Sequence, residues 1–407
     1  MKPKTLLQIN TRVNSGSTGR IAEEIGLTAM ARGWKSYIAF GRDEQPSQSQ
    51  KIRIGNDWTI RWHGLQTRLF DRHGLASIGP TKRLIREMEV IKPDVVQLHN
   101  LHGSYINYPL LFAYFKAEDI PVVWTFHDCW PITGHCVYFD FVGCEKWKTQ
   151  CYACPQKHTH PSSYFLDRSR RNYSLKKALF TSLPNLTVVP VSNWLSGLVG
   201  ASYLKEVPRQ LIYNGIDTKR FQPKETTIFR KQHGLESAFL ILGVANGWTQ
   251  RKGLNDFIKL SDSLSDDYRI VLVGLNKEQV KRLPENVITI LRTESVDALA
   301  DVYAACDVYV NPTYEDNFPT TNLEALACGT PVVTYKTGGS PEAIDEKTGI
   351  VVEKGDTNGL LNAIEEIHSK GKAYYRDACM ERAGKRYSKE VRYEEYMQLY
   401  ERVMREK

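Results

Sequence analysis

Two carboxylates, Asp316 and Glu324, stand eight residues apart in the run Pro312-Thr-Tyr-Glu-Asp-Asn-Phe-Pro-Thr-Thr-Asn-Leu-Glu324-Ala-Leu-Ala-Cys-Gly-Thr-Pro331. The run closes an apolar strand-like stretch and opens a helix that Gly329-Thr330-Pro331 terminates. A helix start presents unpaired backbone N–H groups and the positive end of the peptide dipole, which suits a diphosphate. A carboxylate further along such a helix can accept hydrogen bonds from sugar hydroxyls. Upstream, Gly243-Val-Ala-Asn246-Gly-Trp-Thr-Gln-Arg251-Lys252-Gly253 passes from strand to helix, and Arg-Lys-Gly at a helix start is a phosphate-clamping arrangement. Nearer the start of the chain, Asn14-Ser-Gly16-Ser-Thr-Gly19-Arg20 joins a strand to a helix over residues 21–32, with small residues where backbone could approach a phosphate.

Two apolar stretches end in histidine. Val95-Val-Gln-Leu-His99-Asn-Leu-His102 is one, and Thr125-Phe-His127-Asp128 is the other. Asp128 is expected to orient the His127 ring, as carboxylates often do for imidazoles. Four of the eight cysteines, Cys136, Cys144, Cys151 and Cys154, are clustered, and a Cys-x2-Cys knuckle closes the group. In a reducing compartment such a cluster favours tetrahedral zinc over disulfides, so a structural zinc is expected, with His135 or His158 able to replace one thiolate. Free buried thiols and a disulfide remain alternatives. Trp130, Tyr138, Phe139 and Trp147 share this loop, either as a platform for a substrate or as its own small core.

These groups need a scaffold, and apolar strand-like runs alternate with helical segments along the whole chain, which predicts parallel sheets with helices on both faces. Strands are expected near Thr5–Asn10, Ser36–Phe40, Asp94–Leu98, Val122–Phe126 and Thr187–Val191. A second set is expected near Phe239–Val244, Ile270–Val273, Val287–Leu291, Val308–Asn311, Val332–Tyr335 and Gly349–Val352. The break near Asn214-Gly215-Ile216-Asp217 suggests two doubly wound domains facing a cleft, with ligands at the carboxyl ends of the strands. The expected domains are 1–210 with a cysteine-rich loop at 129–160, then 211–387, then a helix over 388–407.

The motifs resemble those of the retaining family 4 glycosyltransferases, whose fold is GT-B. Asp316 and Glu324 match the E-x7-E signature, with Asp in place of the usual first Glu. Lys252 matches the family's phosphate-binding lysine, whereas Asn246 stands where an arginine is usual and Arg251 is the nearest substitute. Ser15-Gly16 replaces the glycine pair of the family's first loop. Among these enzymes the chain looks most like the colanic-acid, capsule and exopolysaccharide sugar transferases of bacteria. The resemblance implies a nucleotide-diphosphate sugar donor and a glycan or lipid-linked glycan acceptor. It implies that Gly16, Gly19, Asn246, Arg251, Lys252, Asp316, Asn317, Phe318, Pro319, Thr320, Thr321 and Glu324 bind the donor. His127, Arg251, Lys252 and Asp316 would serve catalysis, and His99, His127, Asp128 and Trp130 the acceptor side. It implies that the final helix crosses back to the first domain. No Asp-x-Asp motif occurs, so no catalytic metal is required.

Composition sets the outer limits. The 407 residues carry a net charge of +8, but residues 1–215 hold 27 basic against 16 acidic side chains, +11, and the remainder 27 against 30, −3. A basic first half suits an anionic partner, and contact with an anionic membrane surface is expected. No apolar run approaches the roughly 20 residues that span a bilayer, and the opening residues have too short an apolar core for a signal peptide. The expected location is therefore cytoplasmic, on the inner face of the membrane. A nucleotide-sugar epimerase of the same architecture would share the diphosphate motifs. A zinc-containing nucleic-acid-binding protein would leave Arg251-Lys252 and Asp316…Glu324 idle, and no nucleic-acid partner is expected. A dinucleotide oxidoreductase lacks its glycine pattern here.

Overall fold

The computed structural model describes residues 2–224 and 227–406, which form two compact units. The first comprises residues 2–213 and 392–406, and the second residues 214–391. The first unit runs β1 (Thr5–Asn10), α1 (Gly16–Ala31), β2 (Lys35–Phe40), β3 (Gln50–Arg53), α2 (Asp57–Phe70), α3 (Ile78–Ile91), β4 (Val95–Leu98), α4 (Tyr108–Ala117), β5 (Val122–Phe126), α5 (Ser169–Phe180), β6 (Leu186–Pro190) and α6 (Asn193–Ala201). The second runs α7 (Thr227–His233), β7 (Phe239–Val244), α8 (Leu254–Ser263), β8 (Tyr268–Val273), α9 (Lys277–Val280), β9 (Val287–Ile290), α10 (Val296–Ala305), β10 (Val308–Asn311), α11 (Thr320–Ala327), β11 (Val332–Tyr335), β12 (Gly349–Val352), α12 (Thr357–Lys370) and α13 (Lys372–Tyr387). The last helix, α14 (Lys389–Arg405), starts in the second unit and ends in the first.

Each unit holds one six-stranded sheet, and every strand pairing is parallel. The strand orders are β3-β2-β1-β4-β5-β6 and β9-β8-β7-β10-β11-β12, the same doubly wound order twice. Continuous burial explains why the strands read as apolar runs rather than alternating ones. Val95 to Leu98 and Val122 to Phe126 are buried at every position, as expected for strands covered on both faces. All eleven expected strands are present. The twelfth, β3, went unread because Gln50-Lys-Ile-Arg53 is a polar edge strand with no apolar run.

The terminal helix completes the first unit's core. Tyr393, Tyr396, Met397 and Tyr400 recur at helical spacing, and all are buried against Leu6, Ile25, Val95 and Val123. The hydroxyls of Tyr396 and Tyr400 enter a buried network: Tyr396 Oη pairs with Thr125 Oγ1 at 3.1 Å, Gln97 Nε2 donates to Thr125 Oγ1 at 2.9 Å, and Tyr400 donates to Gln97 Oε1. Among the described residues no helix is long and apolar enough to cross a membrane.

Replacing Met397, which is fully buried in this cluster, should separate packing from helix propensity. Met397→Ala is expected to destabilise the first unit by about 2–5 kcal/mol, and Met397→Leu by under about 1.5 kcal/mol. Urea midpoints read by tyrosine and tryptophan fluorescence would check the difference.

Candidate active site

In the second sheet the order reverses between β7 and β10, and the loops leaving these strands meet. Gly253 permits the contact, with φ +76° and a Cβ that would lie 2.2 Å from the Pro312 carbonyl oxygen; Gly338, in the loop after β11, lets that loop approach as well, with φ +52° and a Cβ that would lie 1.8 Å from the Asp316 carbonyl oxygen. Arg251 joins the loops, its carbonyl accepting from the Tyr314 N–H at 2.8 Å and its guanidinium donating to the Glu315 carbonyl. Beside it Lys252 Nζ lies 2.5 Å from Asp316 Oδ2, with the side chains 23% and 16% exposed. Lys252 and Asp316 are thus brought together, while Arg251 spends part of its donor capacity on backbone.

The loop then enters α11 behind Pro319, an N-cap residue whose own side chain makes no capping hydrogen bond. Thr320 and Thr321 are half-buried there. Asn322 fastens the helix from beneath: its Nδ2 donates to Ser340 Oγ at 3.0 Å, and its Oδ1 accepts from Asn311 Nδ2 at 2.8 Å. Breaking such a fully buried pair leaves polar atoms unsatisfied, at about 1–3 kcal/mol. Asn317, Phe318 and Pro319 are buried and shape the loop, with Asn214 Nδ2 donating to the Phe318 carbonyl at 3.2 Å. Glu324 is also buried, close to Tyr303, whose hydroxyl it helps keep protonated after burial itself. Asn246 is exposed on the loop after β7, which Trp248 anchors by donating Nε1–H to the Val273 carbonyl at 2.9 Å.

In the first unit the order reverses between β1 and β4. Gly16 opens α1 after β1, with Gly19 buried one turn on. His99 follows β4, and His127 follows β5. Their rings stack 5.3 Å apart at 16°, with His99 Nδ1 3.0 Å from His127 Nε2. His99 Nε2 lies 3.1 Å from Gln8 Oε1, and Gln8 Nε2 donates to the Ala22 carbonyl at 2.7 Å. The network assigns the protons. Gln8 offers an oxygen, so His99 donates from Nε2 and accepts at Nδ1; His127 therefore donates from Nε2 and carries its lone pair on Nδ1. Burial pushes the His127 imidazolium pKa down to about 4 and that of His99 well below its ordinary value, so both rings are neutral at pH 7.

Asp128 is engaged elsewhere: its Oδ2 lies 2.8 Å from His102 Nε2, and its Oδ1 accepts the Trp130 N–H at 2.8 Å. Burial would raise the Asp128 pKa, but His102 and this N–H hold it below the usual carboxylate range. Trp130 is fully buried, packed against Tyr108, His73 and His102, so its ring offers no face to a ligand. His99 is likewise buried and acts as the support of His127.

Sequence reading missed a buried network behind this wall. Trp130 Nε1 donates to His73 Nδ1 at 2.7 Å, and His73 Nε2 lies 3.3 Å from Asp71 Oδ1. Asp71 Oδ1 also accepts from His135 Nδ1 at 2.6 Å, and Asp71 Oδ2 accepts the Arg168 N–H at 2.7 Å. Lys176 is buried 3.4 Å from the Trp130 ring centroid and donates to the Trp130 carbonyl at 2.7 Å. The only advance signals were polar residues in apolar surroundings, Gln8 in β1 and Asp71-Arg-His73 after α2. The four clustered cysteines are free thiols, and they line one small cavity with His135.

The neutral histidines make stability depend on pH. Between pH 6.5 and about 4 the unfolded chain takes up protons that folded His127, and His73 with its pKa pushed by burial to about 3, refuse. Stability is thus expected to be full above pH 6.5 and to fall as pH drops through this window. Calorimetric melting temperatures for the wild type and His127→Asn would check it, the variant losing less on acidification.

The comparisons with known proteins agree with this geometry. A family model described as Glycosyltransferase Family 4 matches residues 18–220, and one described as Glycosyl transferases group 1 matches residues 238–370. The chain is 24% identical over 377 residues to the putative colanic acid biosynthesis glycosyl transferase WcaC of Escherichia coli K12, covering 88% of this chain and 89% of that one. Among solved structures, sucrose-phosphate synthase from Thermosynechococcus elongatus superposes with a TM-score of 0.74 at 18% identity, over 99% of this chain and 100% of that one. Anabaena Alr3699/HepE in complex with UDP-glucose superposes with a TM-score of 0.68 at 14% identity, over 97% and 98% of the two chains. With a doubly wound sheet in each unit, as in GT-B proteins, and both family domains in order, the chain belongs to the family 4 glycosyltransferases.

Proposed function

We propose that the chain moves a sugar, with retention of configuration, from a nucleotide-diphosphate donor to a hydroxyl of a lipid-linked glycan in bacterial surface polysaccharide assembly. The observation that carries the reading is the Lys252–Asp316 pair beside the start of α11. Without donor, each of the two charges satisfies the other. An entering diphosphate offers Lys252 a second anionic partner and meets the first-turn N–H groups at Thr320 and Thr321. Lys252 exchanges one oxyanion for another, and Asp316 is released to accept hydrogen bonds from the sugar. Glu324, deeper along α11, takes the ribose hydroxyls.

The bond to the leaving phosphate then lengthens through an oxocarbenium-like state. The acceptor hydroxyl attacks from the same face, and its proton passes to the departing phosphate oxygen. Lys252, Arg251 and the helix end neutralise the charge that develops there, so the work is positioning and electrostatic stabilisation. His127, neutral at pH 7, hydrogen-bonds a sugar hydroxyl. The WcaC relative and the UDP-glucose complex of HepE support a nucleotide-sugar donor and a polysaccharide acceptor.

A lipid-linked acceptor brings the enzyme to a membrane, and the first unit has a surface suited to one. On α2, Trp58 is 78% and Trp62 61% exposed, and Phe165 beside the end of that helix is 71% exposed. The Tyr164 N–H donates to the Arg68 carbonyl at 2.7 Å, which holds this aromatic segment against α2. Cavities of about 590 and 630 Å³ adjoin at Arg72, Leu75 and Ile78, and Lys82, Arg168 and Arg171 line the first of them. Aromatic side chains among arginines and lysines match an anionic lipid interface, the rings entering the headgroup layer and the cations meeting phosphate.

Calorimetric titration with UDP, GDP, ADP and dTDP should find one that binds tightly, with binding lost in Glu324→Ala. Lys252→Ala should lower kcat for that donor about 10²–10³-fold. Failure of every nucleotide to bind would remove the donor assignment.

Co-sedimentation with vesicles containing phosphatidylglycerol should recover the protein, and pure phosphatidylcholine should not. The pair Trp58→Ser with Trp62→Ser should weaken that partitioning by about 10-fold or more while leaving the melting temperature unchanged. Equal partitioning of wild type and variant would dismiss this surface.

A further inference from the structure

The cysteine loop holds an unpaired lone pair. His135 is 1% exposed, and its Nδ1 lies 2.6 Å from Asp71 Oδ1. A carboxylate can only accept, so Nδ1 carries the proton, and in the neutral imidazole Nε2 carries the lone pair. That Nε2 is buried and has no hydrogen-bond partner. An orphaned buried acceptor costs about 1–3 kcal/mol unless something takes the lone pair. His135 lines a cavity of about 10 Å³ together with Cys136, Cys144, Cys151 and Cys154, walled by Phe139 and Trp147, whose rings stack 4.9 Å apart. The volume suits a single ion or water.

The donors facing that cavity are soft. Cys136 and Cys154 line it, and Cys151 Sγ accepts the Gly134 N–H at 3.2 Å. Cys144 is half-exposed. We propose that this cavity is a tetrahedral zinc site whose ligands are His135 Nε2 and the thiolates of Cys136, Cys151 and Cys154. One nitrogen and three sulfurs is a composition of closed structural zinc sites, and it disfavours magnesium and calcium, which take oxygen. Asp71 supplies the outer shell, fixing the tautomer and the ring orientation of the histidine ligand. Its other contacts, to His73 and the Arg168 N–H, tie the site to the end of α2 and the approach to α5.

A neighbouring group is excluded on the same grounds. Among the described residues, the ligand atoms of Asp71, His73 and His135 lie within 4.8 Å of one another. Both imidazoles direct N–H groups at this carboxylate, and His73 Nδ1 already accepts from Trp130, so no lone pairs converge on an ion. Among the described residues these thiols and His135 Nε2 are not gathered within 4.8 Å of one another, so zinc at a bonding distance of about 2.3 Å to sulfur would have to draw them together. Bound zinc would hold the 42 residues between β5 and α5, and with them Asp128 and Trp130.

The test is metal content of the intact protein purified from zinc-supplemented culture. Plasma mass spectrometry should find about one zinc per chain. His135→Gln and Cys154→Ser should lose it, and Cys144→Ser should keep it. Replacing zinc with Co²⁺ in the wild type should give tetrahedral d–d bands with the thiolate charge-transfer intensity of three sulfurs, a readout that does not depend on any variant folding. Protein that neither contains zinc nor takes up zinc or Co²⁺ after reduction overturns the site. Full zinc in His135→Gln with loss in Cys144→Ser, or a four-sulfur cobalt spectrum, overturns the ligand set. None of these readouts depends on the sugar-transfer reading.

Discussion

A parallel strand covered on both faces reaches its neighbour only by a crossover over one face, and the hand of that crossover is fixed. Where strand order reverses, successive helices leave on opposite faces, and the loops between them splay at the carboxyl ends of the strands. Both sheets reverse at their third pair, β1–β4 and β7–β10. The other features of the two sites follow from that topology. Loops that diverge leave room for a ligand, and the residues just past β4, β7 and β10 are His99, the Asn246 to Lys252 stretch and the Asp316 loop.

The two reversal points are furnished in opposite ways. In the second unit the groups are charged, partly exposed and exchangeable, Lys252 against Asp316 beside the start of α11. Such a pair contributes little to stability, because its charges stay partly hydrated. In the first unit the groups are neutral, buried and committed, from the Ala22 carbonyl through Gln8 and His99 to His127. A chain of this kind has one proton arrangement, so it holds a ring in place without answering to pH near neutrality. The first pattern suits capture of a charged ligand, and the second suits exact placement of an uncharged contact.

How much of this was legible in advance depended on range. Apolar runs announced eleven strands because burial on both faces leaves no alternation to blur them, and β3 escaped because an edge strand needs no such run. Lys252, Asp316 and the start of α11 could be found because one local strand–turn–helix pattern carries each of them. The partners of His127 could not, because Asp128 is its neighbour in sequence while His99 is its neighbour across the sheet. Successive residues past a strand end point apart, so adjacency misled. The Asp71–His73–His135 network was out of reach for the same reason, since 64 residues separate its carboxylate from the imidazole of His135. The aromatic character of Trp130 was plain in the sequence, but whether it faced ligand or core was not.

The return of α14 to the first unit has a consequence for biosynthesis. Tyr393, Tyr396, Met397 and Tyr400 close the face of the sheet formed by Leu6, Val95 and Val123, yet nearly 180 residues of the second unit are translated in between. At ~5–20 residues per second the ribosome needs roughly 10–40 seconds to deliver the missing helix. Throughout that interval the nascent first unit displays an apolar face, with Gln97 and Thr125 lacking their tyrosine partners. The last helix acts as a latch that is thrown only when synthesis reaches it, and until then the half-made protein is a client for whatever chaperone stands at the tunnel exit.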